Sequence, residues 1–295
     1  IIDLSSSGRQ PLISHSKRFS IVFNGEIYNH LEIRTKLEKI GFNNWSGSSD
    51  TETLLAAIEI IGLDETLELL IGMYSFAVYD KNKNLLHLVR DRSGEKPLFY
   101  AFIKNKLFFA SELKALLLIP NVSKAIKPAA LDCYLYMGYI PGEMCIIEGF
   151  NKIKASTYLT YDLEANKISV TRYWEQPLPK LDEEALSINH DYLLEKLEFH
   201  LKNAVSSQLI SDVPIGFLLS GGLDSSLITA FAARETNNIN TFTISMEGHK
   251  DFDEAGYAKL ISDYYGTNHT VLEVNPDIVN NIYLMFKKMS TIINY

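Results

Sequence analysis

The 295-residue chain has only two cysteines, Cys133 and Cys145, and neither a Cys-x-x-Cys pair nor a histidine-rich stretch accompanies them. This scarcity argues against a zinc site or a disulfide framework, and we expect both thiols to be buried and reduced. No stretch of about 18 residues is apolar and uncharged, and no basic and then apolar leader opens the chain. We therefore expect a cytoplasmic protein without a membrane-spanning helix.

Basic residues are also comparatively few, since 28 Lys and Arg stand against 36 Asp and Glu and the net charge is −8. This balance argues against a nucleic-acid surface or an anionic-membrane surface, so we expect small-molecule partners. The length favours about two domains, and 46% apolar residues suffice for two cores. The chain contains no internal repeat and no low-complexity tract.

The most informative segment is 220–226, which reads Ser-Gly-Gly-Leu-Asp-Ser-Ser between the apolar run 215–219 and a helical pattern. Two glycines at a strand-to-helix turn let the backbone approach an anion closely, and the first turn of the helix and the serine hydroxyls supply donors. We interpret the segment as a pyrophosphate cradle. The structural alternative is a Gly-Gly turn whose Ser or Asp caps the helix. The Walker A spacing G-x-x-x-x-G-K-[ST] is missing, which argues against ordinary γ-phosphoryl transfer.

Apolar periodicity predicts a strand-rich first region and alternating strands and helices in the second. A short strand is predicted over 19–23 and is expected to stop at an Asn24-Gly25 turn. Asp50 is predicted to cap a helix. The polar, proline-bearing segment 175–184 is the best linker. The alternation beyond it predicts a parallel sheet with ligand at the carboxyl ends of its strands. Its predicted elements are strands at 215–219, 241–246 and 270–274 and helices at 193–209, 254–265 and 276–288.

Several segments of the first region together resemble the class II glutamine amidotransferase domain of the glutamine-hydrolysing asparagine synthetases. They are 24–29 (Asn-Gly-Glu-Ile-Tyr-Asn), 48–52, 90–98 and 109–116. The resemblance implies an α+β domain over 1–175 with the N-terminal-nucleophile fold, an αββα sandwich. It also implies that Asn24 and Gly25 form the oxyanion hole, and that these two residues with Glu26 and Asp50 bind glutamine, the two carboxylates taking its α-amino group.

The chemistry agrees with these roles, although structural alternatives stand beside them. Two fixed donors aimed at the amide oxygen of glutamine stabilise the developing charge by several kcal/mol, and a carboxylate is the natural partner of an ammonium group. An Asn-Gly turn alone is usually structural, and Asp50 could serve as a helix cap. The segment 90–92, Arg-Asp-Arg, is either a surface ion-pair cluster or a strut near the site.

The segment 214–226 resembles the PP-loop of the ATP pyrophosphatase superfamily, most of all that of the same synthetases. This implies an α/β parallel-sheet nucleotide-binding domain over 190–295, ATP cleavage between the α and β phosphates, and adenylation of a carboxylate with Mg²⁺. Leu219 and Ile244 would contact the adenosine or pack in the core, and Asp224 would place Mg²⁺ or stabilise the first helical turn. The predicted ATP-binding residues are Leu219, Ser220, Gly221, Gly222, Leu223, Asp224, Ser225, Ser226 and Ile244.

The combined resemblance implies an ATP-dependent, glutamine-hydrolysing ligase that forms asparagine from aspartate and releases AMP and pyrophosphate; a homodimer is compatible with it. The alternatives are an amidotransferase for another carboxylate in polysaccharide or antibiotic synthesis, and a catalytically incomplete ATP-binding fragment. The family's nucleophile is an N-terminal cysteine, which Cys133 and Cys145 cannot replace by position. We expect a fragment that lacks about fifty residues at its start and a carboxyl-terminal part, and that has no glutaminase activity of its own.

Overall fold

The computed structural model describes residues 2–178, 189–246 and 253–274, and the chain divides into two compact units, Ile1–Leu178 and Pro179–Tyr295. The strands of the first unit are β1 (Leu12–Ile13), β2 (Phe19–Ile27), β3 (Gly72–Asp80), β4 (Leu85–Arg90), β5 (Phe99–Ile103), β6 (Lys106–Ala110), β7 (Phe150–Lys152), β8 (Thr157–Asp162) and β9 (Lys167–Arg172). Its helices are α1 (His30–Lys39), α2 (Asp50–Ile61), α3 (Leu63–Leu69), α4 (Leu113–Leu116) and α5 (Pro128–Met137).

A large antiparallel sheet with the strand order β1-β2-β3-β4-β8-β9 forms the centre of the first unit. Strand β3 shows why the sheet is buried on both faces: Tyr74, Phe76 and Val78 pack toward α1 and α2, whereas Ala77 packs on the opposite face. This alternation follows from the two-residue period of a strand. The helices α1, α2 and α3 therefore cover one face of the sheet.

A second antiparallel sheet, ordered β6-β5-β7, lies on the other face. Leu98, Tyr100 and Phe109 pack against Ala77 and Leu88 of the large sheet. The outer face of the small sheet is covered in turn by the short helix α4 and its flanking residues. The order of layers is therefore helix, sheet, sheet, helix, and the predicted αββα sandwich is confirmed.

The second unit contains a parallel sheet with the order β10-β11-β12. Its elements are α6 (His190–Ser207), β10 (Gly216–Leu218), α7 (Leu223–Glu235), β11 (Asn240–Met246), α8 (Ala255–Tyr265) and β12 (Asn268–Val274). Helix α7 connects β10 to β11, and α8 connects β11 to β12, as parallel pairing requires. The predicted alternation and the predicted parallel sheet are confirmed over these residues.

Local boundaries differ from the sequence prediction in two places. Strand β2 does not stop at an Asn24-Gly25 turn but continues to Ile27, because β3 pairs with it along its whole length. Apolar periodicity also predicts a helix over 112–118, and the structure has a single turn there, Leu113–Leu116. The predicted helix 276–288 and most of the predicted linker lie outside the described residues. Within the described part of the chain, no helix is both long and apolar enough to span a membrane.

Candidate active sites

Asn24 and Gly25 lie inside β2, directly opposite Ser75 and Tyr74 of β3. A Cβ atom at Gly25 would overlap the carbonyl oxygen of Met73 and lie 2.6 Å from the Cα atom of Tyr74. The close approach of the two strands therefore requires glycine at this position. The expected Asn-Gly turn is wrong, and the glycine serves strand packing instead of a reversal of the chain.

The backbone of Gly25 faces the outer edge of β2. On β3, the peptide groups of Tyr74 point the other way: its carbonyl oxygen accepts from the N–H of Asp91 at 2.8 Å, and its N–H donates to Asp91 Oδ2 at 3.2 Å. Because the peptide groups of Tyr74 point away from β2, Tyr74 and Gly25 form a non-hydrogen-bonded pair of the antiparallel ladder. The N–H of Gly25 therefore points away from β3, on the same side as the N–H of Phe23, which donates to Gln10 Oε1 at 2.6 Å.

The side chain of Asn24 is exposed and lines a cavity of about 190 Å³ between the two sheets. Its Nδ2 donates to Ser111 Oγ at 3.1 Å, and Ser111 directly follows β6. Because an amide nitrogen carries two hydrogens, the second is available to a ligand in the cavity. Asn24 thus presents a polar hydrogen to the cavity on one face of β2, and the N–H of the adjacent Gly25 points away from β3.

Asp50 is not the N-cap of α2. The cap is Ser49, whose Oγ accepts from the N–H of Glu52 at 3.1 Å. The carboxylate of Asp50 is buried and is shared by two backbone donors: Oδ2 accepts from the N–H of Ile27 at 2.9 Å, and Oδ1 accepts from the N–H of Thr51 at 2.8 Å. Asp50 therefore joins the end of β2 to the start of α2, which corrects its interpretation as a helix cap.

Carboxylates gather where β2 ends. Burial raises the pKa of Asp50 against the two backbone hydrogen bonds, and the charge of Glu26 raises it further. Burial and then the charges of Glu95 and Glu26 raise the pKa of Tyr28 to about 12. Burial is the larger cause of both shifts, and the smaller contributions of Glu26 and Glu95 reflect neighbouring negative charge, which favours a cation such as an ammonium group. Glu26 is only half-buried, so it is the more accessible of the two predicted α-amino ligands.

The segment 90–92 is a strut and not a surface ion-pair cluster. Asp91 is fully buried, and its carboxylate accepts from the backbone N–H groups of Tyr74, Glu95 and Lys96 at 2.9–3.2 Å. This set of bonds ties the start of β3, opposite Gly25, to the loop that follows β4. The guanidinium of Arg90 donates to the backbone carbonyls of Gly94, Lys96 and Ile153.

The two glycines of the 219–222 loop differ in whether the surrounding structure leaves room for a side chain. Gly221 has a φ of 81°, and a Cβ atom there would lie 2.5 Å from Tyr257 Cβ and 2.6 Å from the backbone nitrogen of Ala258. The fold itself therefore requires Gly221. Gly222 has a φ of −70°, and among the described residues its Cβ would meet only Ser220 Oγ, at 3.3 Å. The space over Gly222 is open to a ligand.

The serines of the loop hold it against the first turn of α7. Ser220 Oγ lies 3.0 Å from Ser225 Oγ and accepts from the N–H of Gly222 at 3.3 Å. Helix α7 has Gly222 at its N-cap position, and no side chain among the described residues caps it. Ser226 Oγ is buried without a hydrogen-bond partner in this part of the structure. The uncapped amides favour the cradle over the alternative of a Ser- or Asp-capped turn.

The remaining predicted ATP-binding residues are unequally accessible. Leu219 is only 1% exposed, and its N–H donates to the carbonyl oxygen of Phe242 at 2.8 Å, so its side chain packs in the core. Ile244 is 54% exposed and lies on β11 beyond the point where β10 ends. Asp224 and Leu223 are exposed in the first turn of α7. Ile244 and Asp224 can meet a ligand through their side chains, and Leu219 only through its backbone.

Neither cysteine belongs to either site. Cys145 is buried, whereas Cys133 is half-exposed on α5, where Ala130 is the buried residue, so the expectation of two buried thiols is wrong for Cys133. Both thiols are free. Across residues 2–178, 189–246 and 253–274, no group of three or more His, Cys, Asp or Glu side chains is arranged to hold a metal ion.

Ser111 and Gln10 contact the Asn24-Gly25 part of β2 from elsewhere in the unit, and neither has a predicted role. Ser111 belongs to the segment 109–116, which carries part of the family resemblance, and this was its only signal. Gln10 has no signal in the sequence, since its contact with Phe23 depends on the path of the chain before β1.

Each of the two units matches a known protein family. Residues 1–174 match the family described as glutamine amidotransferase domain, and residues 196–293 match asparagine synthase. A Methanocaldococcus jannaschii protein named as a glutamine-hydrolysing asparagine synthetase is 35% identical over 289 residues, which cover 91% of this chain and 53% of that protein. Asparagine synthetase 2 of Bacillus subtilis is 34% identical over 92% of this chain and 36% of that protein. Asparagine synthetase 2 of Arabidopsis thaliana is 32% identical over 91% of this chain and 41% of that protein.

The chain thus spans about half the length, or less, of these curated relatives. A solved Bacillus subtilis glutamine PRPP amidotransferase superposes on it with a TM-score of 0.42 at 15% identity, covering 91% of this chain and 49% of that one. The amidotransferase match alone covers 174 of 295 residues. With an amidotransferase domain followed by an asparagine synthase domain, the chain belongs to the glutamine-hydrolysing asparagine synthetase family.

Proposed function

We propose that the protein containing this chain is an ATP-dependent ligase that hydrolyses glutamine and forms asparagine from aspartate through an acyl-adenylate. The observation that carries the proposal is the loop 219–222, whose backbone lies open over Gly222 at the carboxyl end of a parallel strand. An anionic ligand is expected at such an end of a parallel sheet. The family to which the chain belongs supports ATP as that ligand.

The first unit, over 1–175, supplies ammonia by hydrolysing glutamine. Attack on the side-chain amide of glutamine places negative charge on its carbonyl oxygen. Asn24 Nδ2 and the N–H of Gly25 are the two donors for that oxygen, since they belong to adjacent residues of β2 and neither is used in pairing with β3. Glu26 binds the α-amino group of glutamine, and Asp50 acts on the same group from its buried position through its charge.

The second unit, over 190–295, activates the acceptor. The carboxylate of aspartate attacks the α-phosphorus of ATP, the bond between the α and β phosphates breaks, and pyrophosphate leaves. The charge of the leaving pyrophosphate is taken by the amides of the first turn of α7 over the open space at Gly222, together with the hydroxyls of the serines. Ile244 provides an apolar surface for the adenine beside the loop. The serines are Ser220, Ser225 and Ser226.

The site next to the 219–222 loop fits Mg²⁺, although the loop offers the ion few protein ligands. Magnesium ions are usually bound by one or two carboxylates together with phosphate oxygens and water, and not by a cage of side chains. Asp224 is the exposed carboxylate next to the loop, so it would hold the ion jointly with the phosphates. When bound, Mg²⁺ neutralises charge on the phosphates. Asp224 also favours the first turn of α7 through the helix dipole.

The acceptor is the least constrained part of the proposal. Aspartate is chosen because the relatives are named asparagine synthetases. Amidation of another carboxylate is the competing function, since it would use the same Asn24-Gly25 strand and the same loop 219–222. A cytoplasmic location and a homodimeric state complete the proposal and rest on the family alone.

The test is a product analysis of the full-length protein with glutamine, ATP, Mg²⁺ and aspartate. The expected result is glutamate, AMP, pyrophosphate and asparagine in equal amounts. If pyrophosphate release requires a carboxylate other than aspartate, aspartate is not the acceptor, but the proposed adenylation still stands. ADP and phosphate as products would overturn the adenylation itself, and a Gly222→Val variant with unchanged pyrophosphate release would remove the loop from the mechanism.

A further inference from the structure

The side chain of Asn24 has one described hydrogen-bond partner, and it comes from the other sheet. Asn24 Nδ2 donates to Ser111 Oγ at 3.1 Å across the cavity of about 190 Å³. Ser75, which lies opposite Asn24 on β3 and lines the same cavity, does not take this role, because its Oγ donates to the carbonyl oxygen of Pro97 at 3.1 Å. The orientation of the Asn24 amide thus depends on Ser111.

Ser111 lies in a rigid part of the first unit. It follows Ala110, whose partner in the ladder is Phe99 of β5, and it precedes the short helix α4. Ala110, Leu113 and Leu116 all pack in the core behind the small sheet. A hydroxyl held between a paired strand and a packed helix can fix a neighbouring group to within a fraction of an ångström.

The chemistry of an oxyanion donor makes this orientation important. The terminal amide of Asn rotates broadly about its last bond, and a donor stabilises a developing charge only when it is already aimed at it. If one hydrogen of Nδ2 bonds Ser111, the plane of the amide is set and the second hydrogen points in a fixed direction.

We propose that Ser111 is a positioning residue that orients the Asn24 amide as an oxyanion donor for glutamine hydrolysis. The inference rests on the proposed function, because it deepens the role given there to Asn24. Ser111 does not itself touch the reacting amide, so its removal lowers the rate of the chemical step and leaves glutamine binding unchanged.

The experiment is a double-mutant cycle in the full-length protein, with glutamate release as the readout and thermal unfolding measured for each variant. Ser111→Ala is expected to lower kcat about tenfold with KM for glutamine unchanged. Ser111→Thr keeps the hydroxyl and is expected to restore most of that rate. Asn24→Ala is expected to lower kcat by about 10²–10³-fold. In the Asn24→Ala background, adding Ser111→Ala is expected to cause no further loss.

The cycle separates the possible failures. A Ser111→Ala loss that persists in full in the Asn24→Ala background would mean that Ser111 acts on packing or folding, and it would overturn the inference. Unchanged kcat in Ser111→Ala, with a large loss in Asn24→Ala, would overturn the inference and leave the proposed function standing. Unchanged kcat in Asn24→Ala would instead refute the oxyanion role of Asn24, on which both proposals depend.

Discussion

Replacing Gly222 by alanine separates the structural role of the 219–222 loop from its proposed role in phosphate binding. The backbone of Gly222 has a φ of −70°, which alanine adopts without strain, and the new Cβ would meet only Ser220 Oγ, at 3.3 Å, among the described residues. The free energy of unfolding should therefore change little, because the gain of about 0.4–1 kcal/mol when alanine restricts the unfolded chain is offset by the poorer fit of alanine to the N-cap position.

The affinity of the Gly222→Ala variant for ATP, in contrast to its stability, should fall. The methyl group would occupy the open space over Gly222 from which a phosphate reaches the uncapped amides of the first turn of α7. Loss of one hydrogen bond to a charged group costs about 1.5–3 kcal/mol, which corresponds to a roughly 10- to 150-fold weaker Kd for ATP. Titration calorimetry of the full-length protein with ATP and Mg²⁺, without glutamine or aspartate, measures this change.

Gly221→Ala is the matched control, because it places the same methyl group one residue earlier. There the φ of 81° costs about 1–2 kcal/mol for a residue with a side chain, and the Cβ overlaps the start of α8. Gly221→Ala should therefore lower the unfolding temperature, and Gly222→Ala should not. Wild-type ATP affinity in Gly222→Ala, with its stability intact, would refute the reasoning that this loop cradles phosphate.

Three further predictions concern the first unit, each in the full-length protein. Asn24→Ala should lower glutamine-dependent asparagine formation by about 10²–10³-fold yet leave synthesis from free ammonia near the wild-type rate; an equal loss of both would contradict an oxyanion role. Asp91→Ala leaves three backbone N–H groups without their acceptor, that of Tyr74 in a buried bond and those of Glu95 and Lys96 in part-buried bonds, so urea unfolding should show a loss of about 3 kcal/mol, and a loss below about 1 kcal/mol would contradict the strut. Burial alone would raise the pKa of Asp80, but the hydrogen bonds from Arg18 and from backbone amides outweigh it and lower that pKa below 3.8. Asp80 thus stabilises the fold above its unfolded pKa, and this stability is lost as the pH falls through the folded pKa. The stability deficit of Asp80→Asn should accordingly be full at pH 7 and vanish in acid, whereas a deficit independent of pH would show that the charge is not its cause.

Features that depend on neighbouring residues could be predicted from the sequence. The strand-to-helix turn at 220–226 is a local pattern of glycines, an apolar run and a helical period, and the structure has β10, the loop and α7 in that order. The parallel sheet β10-β11-β12 was predicted because alternating strands and helices leave a chain few other ways to bury them. The αββα layers followed from the resemblance carried by the segments 24–29, 48–52, 90–98 and 109–116.

The geometry of the first site was decided by tertiary structure. Asn24-Gly25 is a turn signal in isolation, but the pairing of β2 with β3 over Phe19–Ile27 overrides it. Asp50 is a good cap by its type and place, yet the end of β2 offers its carboxylate a buried N–H, and the neighbouring Ser49 takes the cap.

The remaining contacts join residues that are far apart along the chain. No local pattern connects Asn24 with Ser111, or Asp91 with Tyr74, because each pair meets only when strands and sheets assemble. The sequence by itself predicted the alternating strands and helices of the second unit, the strand-to-helix loop between β10 and α7, and the family of the protein. Tertiary structure decided where the donors of Asn24 and Gly25 point, because the direction of an N–H depends on the strand that lies opposite it, and that of the Asn24 amide on Ser111.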